Sequence, residues 1–132
     1  MEPAVIAPTS SQAVAPIDLS QFRWEIALTE TEHSRGLSGR ASLDPNRGMV
    51  FVFDRPWYYP FWMKDTNFPL DIVWLNQNRV VDVATLQAAT TSQPWPDSHV
   101  PVAKADRVLE INAGLAKELG LKIGSQVILP EL

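Results

Sequence analysis

From Gln21 onward apolar and polar residues alternate, with Phe22, Trp24, Ile26 and Leu28 set against Arg23, Glu25, Ala27 and Thr29. A period of two predicts a strand with one buried face. Thr29 and Glu32 then form a T-x-x-E capping box, which opens a short helix that Gly36 or Gly39 should end. Residues 49–53 (MVFVF) are apolar throughout and rich in β-branched and aromatic side chains, as suits a strand covered on both faces. Asp54-Arg55-Pro56 should end it. Residues 61–64 and 70–75 read as two further strands divided by a turn at Asp65-Thr66-Asn67-Phe68-Pro69, and Asn76-Gln77-Asn78 predicts a hairpin into a strand over 79–86. Beyond a Pro-containing loop over about 88–102 the pattern resumes at 107–111. Asn112 can cap a helix through Leu119, Gly120 supplies its left-handed stop, and 126–129 closes the set as a last strand. About seven strands, two short helices and no βαβ alternation predict a mostly β, single-domain antiparallel β-sandwich or small β-barrel.

A chain of 132 residues allows one domain. Residues 1–20 read as a flexible leader rich in Pro, Ala and Ser, and residues 21–132 as the domain. Such a leader often follows a cleaved signal or an anchored terminus, so export to the periplasm or cell surface is expected, with a cytoplasmic protein bearing a plain tail as the alternative. Cysteine is absent, which removes thiol nucleophiles, zinc–thiolate sites and iron–sulfur ligation. A net charge of −4 with no run of Lys and Arg speaks against nucleic acid. No apolar stretch approaches the roughly 20 residues of a membrane-spanning helix. The six glycines never bunch into a phosphate-binding loop, and His33 and His99 lack a metal-ligand spacing. No cofactor and no metal are expected, both histidines read as surface residues, and the residues name no protein partner.

Nine of the twelve aromatic residues fall between Phe51 and Trp74, so this third of the chain is core, recognition surface or both. Trp57, Tyr58 and Tyr59 lie in a loop bounded by Pro56 and Pro60, where large amphipathic rings suit ligand contact. Three charges interrupt apolar strands: Lys64, Asp71 and Glu110. Each must point outward, be paired or line a wet pocket, because an unpaired buried ion costs several kcal/mol. Alternation lets Glu110 point outward, since it shares a face with Val108 opposite Leu109 and Ile111. Asp71 shares its face with apolar Val73 and Leu75, so pairing or a pocket is expected there. Five basic residues from Arg35 to Lys64 stand against only Asp44 and Asp54 between them, so a site gathering Arg40 and Lys64 would suit a small anion.

Gly36-Leu37-Ser38-Gly39-Arg40, residues 48–53, Phe61-Trp62-Met63-Lys64-Asp65-Thr66, Pro69-Leu70-Asp71-Ile72 and residues 108–114 together resemble the bacterial and archaeal family called domain of unknown function 192. The resemblance spans about residues 22–129. It implies a small β-rich domain, often found behind a signal peptide, and no established reaction. It singles out Arg40, Lys64, Thr66, Asp71 and Glu110. This chain departs from the family pattern at Ser38, Asp65 and Ser125, where Met, Asn and Asp are usual, and in a loop where other members carry cysteines and this one has Gln93-Pro94-Trp95-Pro96.

Three functions are then expected to compete. The first is a binding domain whose cleft, lined by Trp57, Tyr58, Trp62 and the cluster of Arg40, Lys64, Thr66, Asp71 and Glu110, takes a small polar or anionic ligand such as a saccharide, a peptide end or a carboxylate. The second is a hydrolase using Asp71 and Glu110 as acid and base. The third is a structural or protein-interaction domain whose charges only fix strand register.

Overall fold

The alternating, apolar and capped segments become, in chain order, β1 (Ile17–Asp18), β2 (Arg23–Ala27), α1 (Glu30–Arg35), β3 (Arg47–Trp57), β4 (Phe61–Trp62), β5 (Leu70–Asn76), β6 (Arg79–Leu86), β7 (Ser98–His99), β8 (Ala105–Asn112), α2 (Leu115–Leu119) and β9 (Val127–Ile128). These come from a computed structural model that describes residues 14–132. Most of the leader expected over 1–20 therefore lies outside the described residues. Its last part does not: β1 pairs with β9, and Leu19 is buried, so the folded unit begins before residue 21.

The chain forms a mostly β architecture with three sheets, none closed into a barrel among the described residues. The main sheet has the order β2-β3-β8-β5-β6, and the pairs β1-β9 and β4-β7 lie outside it. Its three central strands are β3, β8 and β5, which explains why 70–75 is buried at every position. Pairing is mostly antiparallel as expected, apart from β1–β9 and the β2–β3 edge of the main sheet. β2 runs parallel to β3, and residues 28–46, which contain α1, supply the long crossover that parallel neighbours need. With only the six-residue α1 between its strands, this unit shows no helical period long enough to mark a βαβ alternation in the sequence.

Four local expectations also shift. Pro56 does not end β3, because a register irregularity between Val52 and Trp57 lets the strand continue without a ladder bond at the proline. The strand expected over 61–64 shortens to Phe61–Trp62, and Ser98–His99 within the expected 88–102 loop pairs with it. Asn112 does not cap α2. Its side chain donates to the Leu43 carbonyl, and the helix begins after Gly114 in a left-handed conformation. The hairpin at 76–79 is as read, with Gln77 and Asn78 both at positive φ, the two-residue turn whose twist matches antiparallel strands.

Each face of the main sheet carries a core. One gathers Met49, Phe51, Ile72, Trp74 and Val108, and the other Val50, Val73, Leu75, Leu109 and Ile111. Glu110 alternates with Leu109 and Ile111, so it projects to the first face, where α1, β4 and the loops around them lie. Asp71 alternates with Ile72 and projects to the second, toward α2.

Candidate binding pocket

The capping box fixes α1. Thr29 Oγ1 accepts from Glu32 N at 3.1 Å while Glu32 Oε1 accepts from Thr29 N at 3.0 Å, satisfying amide donors that a helix start leaves free. His33 and Leu37, four residues apart, then turn inward together. Leu37 is buried, and His33 Nε2 lies 3.0 Å from the carbonyls of both Ala27 and Val52. Two acceptors require that Nε2 carry the proton and donate to both. The imidazole thereby pins α1 across β2 and β3, with its ring 4.4 Å from that of Phe53. His33 is thus not the surface residue expected from sequence.

Beyond α1 the chain crosses the sheet face. Ser38 Oγ donates to the Lys64 carbonyl at 2.9 Å, Gly39 N to the Asp65 carbonyl at 2.8 Å, and Asn67 Nδ2 to the Arg40 carbonyl at 2.8 Å. On the other side, the Trp74 indole donates to the Tyr59 carbonyl at 2.8 Å, and Tyr59 stacks on Phe53 at 3.7 Å between ring centroids. Between these walls is a cavity of about 240 Å³, lined by residues of α1, Phe51 and Phe53 of β3, the segment from Tyr59 to Trp62, Thr66 and Glu110.

Glu110 is the chemical anomaly of this cavity. It lies on the central strand of the main sheet, in register with Met49 on one side and Ile72 on the other, and is 5% exposed. Its Oε1 is buried without a hydrogen-bond partner among the described residues. A Cβ placed on Gly36 would stand 3.4 Å from that oxygen, so the backbone after α1 passes directly over the carboxyl. Burial pushes the Glu110 carboxyl up to about 8, and the positive charge of Arg40 offsets only part of the effect. Arg40 is itself occupied. Its two terminal nitrogens bond Glu25 at 2.5 and 2.6 Å, which raises the guanidinium pKa and lowers that of Glu25.

The eight residues expected to form one site are divided by the fold. Trp62, Thr66 and Glu110 line the cavity. Lys64 is exposed, 5.5 Å above the Trp62 ring, in a shallower depression that shares Ser34, Arg35 and Ser38 with the cavity wall. Arg40 stands beside the site in its pair with Glu25. Trp57 and Tyr58 are exposed outside it, packed edge to face at 5.5 Å, with Lys104 over the indole at 5.1 Å.

Asp71 is elsewhere altogether. Its Oδ1 accepts from Thr85 Oγ1 at 2.6 Å and its Oδ2 from Gly114 N and Ala116 N, both at 2.9 Å, so the carboxylate caps α2 from a neighbouring strand. The expected cluster of Arg40, Lys64 and Asp71 is not formed. Nor can Asp71 and Glu110 work on one bond as acid and base, because they project from opposite faces of the sheet. Sequence reading missed His33 and Arg35 as cavity residues, while Tyr59 is the one ring of the expected 57–59 loop that lines the cavity. The spacing of His33 to Leu37 across a capped helix start is the signal that could have found the first.

Comparison with known proteins agrees with the fold. No curated protein matches the chain. A protein of unknown function from Novosphingobium aromaticivorans DSM 12444 is 37% identical and superposes with a TM-score of 0.67, covering 80% of this chain and 73% of that one. A protein from Sinorhizobium meliloti 1021, described as a putative transcription regulator, is 30% identical with a TM-score of 0.63, covering 78% of each chain. The family model DUF192, described as "Uncharacterized ACR", matches residues 13–129. With nearly all of the described domain inside that match, the chain belongs to the DUF192 family.

Proposed function

We propose that this domain is a binding module for a small polar ligand, received in the cavity between α1 and the segment from Tyr59 to Trp62. The observation that carries this reading is the Glu110 side chain, which lines the cavity from a central strand and whose buried Oε1 has no hydrogen-bond partner among the described residues. A hydrophobic residue would pack there at no electrostatic cost, whereas an unmatched polar group costs on the order of 1–3 kcal/mol. A ligand group that bonds the carboxyl would remove that penalty. The aromatic walls supply contact area around it, and the exposed Trp62 is placed to report occupancy. The cavity volume of about 240 Å³ suits a small guest.

The hydrolase alternative loses its carboxylate pair to the sheet register. Nucleic-acid binding, suggested only by the description of the Sinorhizobium protein, finds no support in a net charge of −4 without a basic run. Export of the domain is part of this proposal, resting on the Pro-, Ala- and Ser-rich leader, and fractionation of cells producing the full-length gene product tests it.

A thermal-shift and tryptophan-fluorescence screen against sugars, amino acids, carboxylates and amines tests the binding reading. At least one class should raise the Tm of the wild type and lose its effect in Trp62→Ala, a change at an exposed side chain that leaves the fold intact. No shift with any class at millimolar concentration would overturn the binding reading.

A further inference from the structure

Charge is arranged in this cavity in depth. The buried end holds a single acid, Glu110, while the mouth holds Arg35 of α1 and, in the adjoining depression, Lys64. Aromatic residues line the same cavity, among them Phe51, Phe53, Phe61 and Trp62. We infer that the ligand is a small zwitterion that enters with an organic ammonium group toward Glu110, among the aromatic walls, and leaves an anionic group at Arg35. This inference rests on the binding reading above and names its ligand class.

Three features support it. A cation is the natural partner for a desolvated carboxylate, and rings beside it add cation–π attraction, the combination used to recognise ammonium groups. A free anion would meet the acidic Glu110 at the buried end. A simple cation would have to pass Arg35 without compensation, which a zwitterion avoids by pairing its own anionic end there. Arg40 does not fill the role of Glu110's partner, since both its terminal nitrogens are committed to Glu25.

The acid–base consequence is specific. The charged and titratable groups around Glu110 are Arg40, paired to Glu25, and His33 and Arg35 on α1; the flanking strands present Met49 and Ile72. With burial holding Glu110 protonated to about pH 8, an ammonium ligand must displace that proton. Affinity should therefore rise about tenfold per pH unit below roughly pH 8 and level off above it. A neutral sugar bonded to the protonated carboxyl would show no such rise and would weaken above pH 8.

Titration calorimetry of the whole domain with glycine betaine, L-alanine, acetate and glucose, each from pH 6 to 9, separates these cases. Glycine betaine or L-alanine should bind with proton release and the rising pH profile, while acetate and glucose do not bind. Glu110→Gln, which preserves the shape of the protonated acid, should weaken that binding about tenfold or more and flatten its pH profile. Arg35→Gln, at an exposed side chain, should weaken glycine betaine about fivefold while leaving tetramethylammonium no weaker, since the repulsion at Arg35 is relieved. Binding of glucose or acetate alone overturns the zwitterion inference and leaves the binding reading standing, and so does zwitterion binding unchanged in Glu110→Gln. Silence of all these probes, together with silence in the wider screen, overturns both.

Discussion

Glu110 holds its proton in the folded chain up to about pH 8, whereas its ordinary value is 4.5. Between those limits the folded state binds one more proton than the unfolded state, so this group's contribution to stability is complete below about 4.5 and is lost as pH rises toward 8. Urea unfolding of the wild type should weaken relative to Glu110→Gln across pH 5 to 8, by on the order of 1 kcal/mol per pH unit. Parallel pH profiles of the two proteins would move the ionisation to another residue. Gly48 makes a different residue-scale demand. Its register partner Trp24 lies so close that an added Cβ would stand 2.5 Å from the indole ring and 3.0 Å from the Glu110 carbonyl oxygen. Gly48→Ala should destabilise by about 1–3 kcal/mol in urea unfolding, since one of three packed strands must shift to admit a methyl group. A loss below about 0.5 kcal/mol would show that Trp24 moves aside freely.

The two helices are held by different devices at the scale of the element. α1 starts from its own sequence, through the Thr29 and Glu32 capping box, so Thr29→Ala should cost about 1 kcal/mol and loosen the wall that carries His33. Exchange broadening of the His33 ring resonances would follow, and unchanged lines would show that its two carbonyl bonds suffice. α2 starts from the tertiary structure, through Asp71 on β5. Asp71→Ala orphans Gly114 N, Ala116 N and the Thr85 hydroxyl, and should cost about 3 kcal/mol or more in urea unfolding. The same substitution should leave ligand affinity at the Glu110 cavity unchanged wherever the protein stays folded. A parallel loss of affinity would contradict the separation of the two carboxyls by the sheet.

Across the whole molecule, stability should concentrate where β3, β8 and β5 pair and both faces are covered. Native-state hydrogen exchange is expected to be slowest at Val73, Leu109 and Val50, and fastest in the exposed segment 90–96. Asp82 ties the following chain back to this frame, accepting from His99 Nε2 at 2.9 Å and from Val102 N at 3.0 Å. Asp82→Asn should therefore raise exchange at residues 97–103 before it raises exchange in β8, and simultaneous release of both would make the tie part of the global unfolding unit.

What local sequence could specify, it specified: the period of two in the strands, the Thr29 cap, the left-handed residues of the 76–79 turn and the Gly120 stop each depend on neighbours a few residues away. The abnormal status of Asp71 and Glu110 was legible for the same reason, as charge set within apolar runs. Their meaning was not, because it depends on which strand lies beside which and on contacts 40 residues or more along the chain, such as that of Asp71 with Gly114 and Ala116. Alternation left Glu110 an outward-facing choice; the layer of α1 and β4 over that side of the sheet removed it and enclosed the carboxyl. Sequence alone thus determined the longer elements and the presence of misplaced charge, while the short strands β1 and β7 exist only through their partners. Only the tertiary structure decided that one acid is satisfied as a helix cap and that the other lines the cavity with a buried oxygen lacking a partner among the described residues.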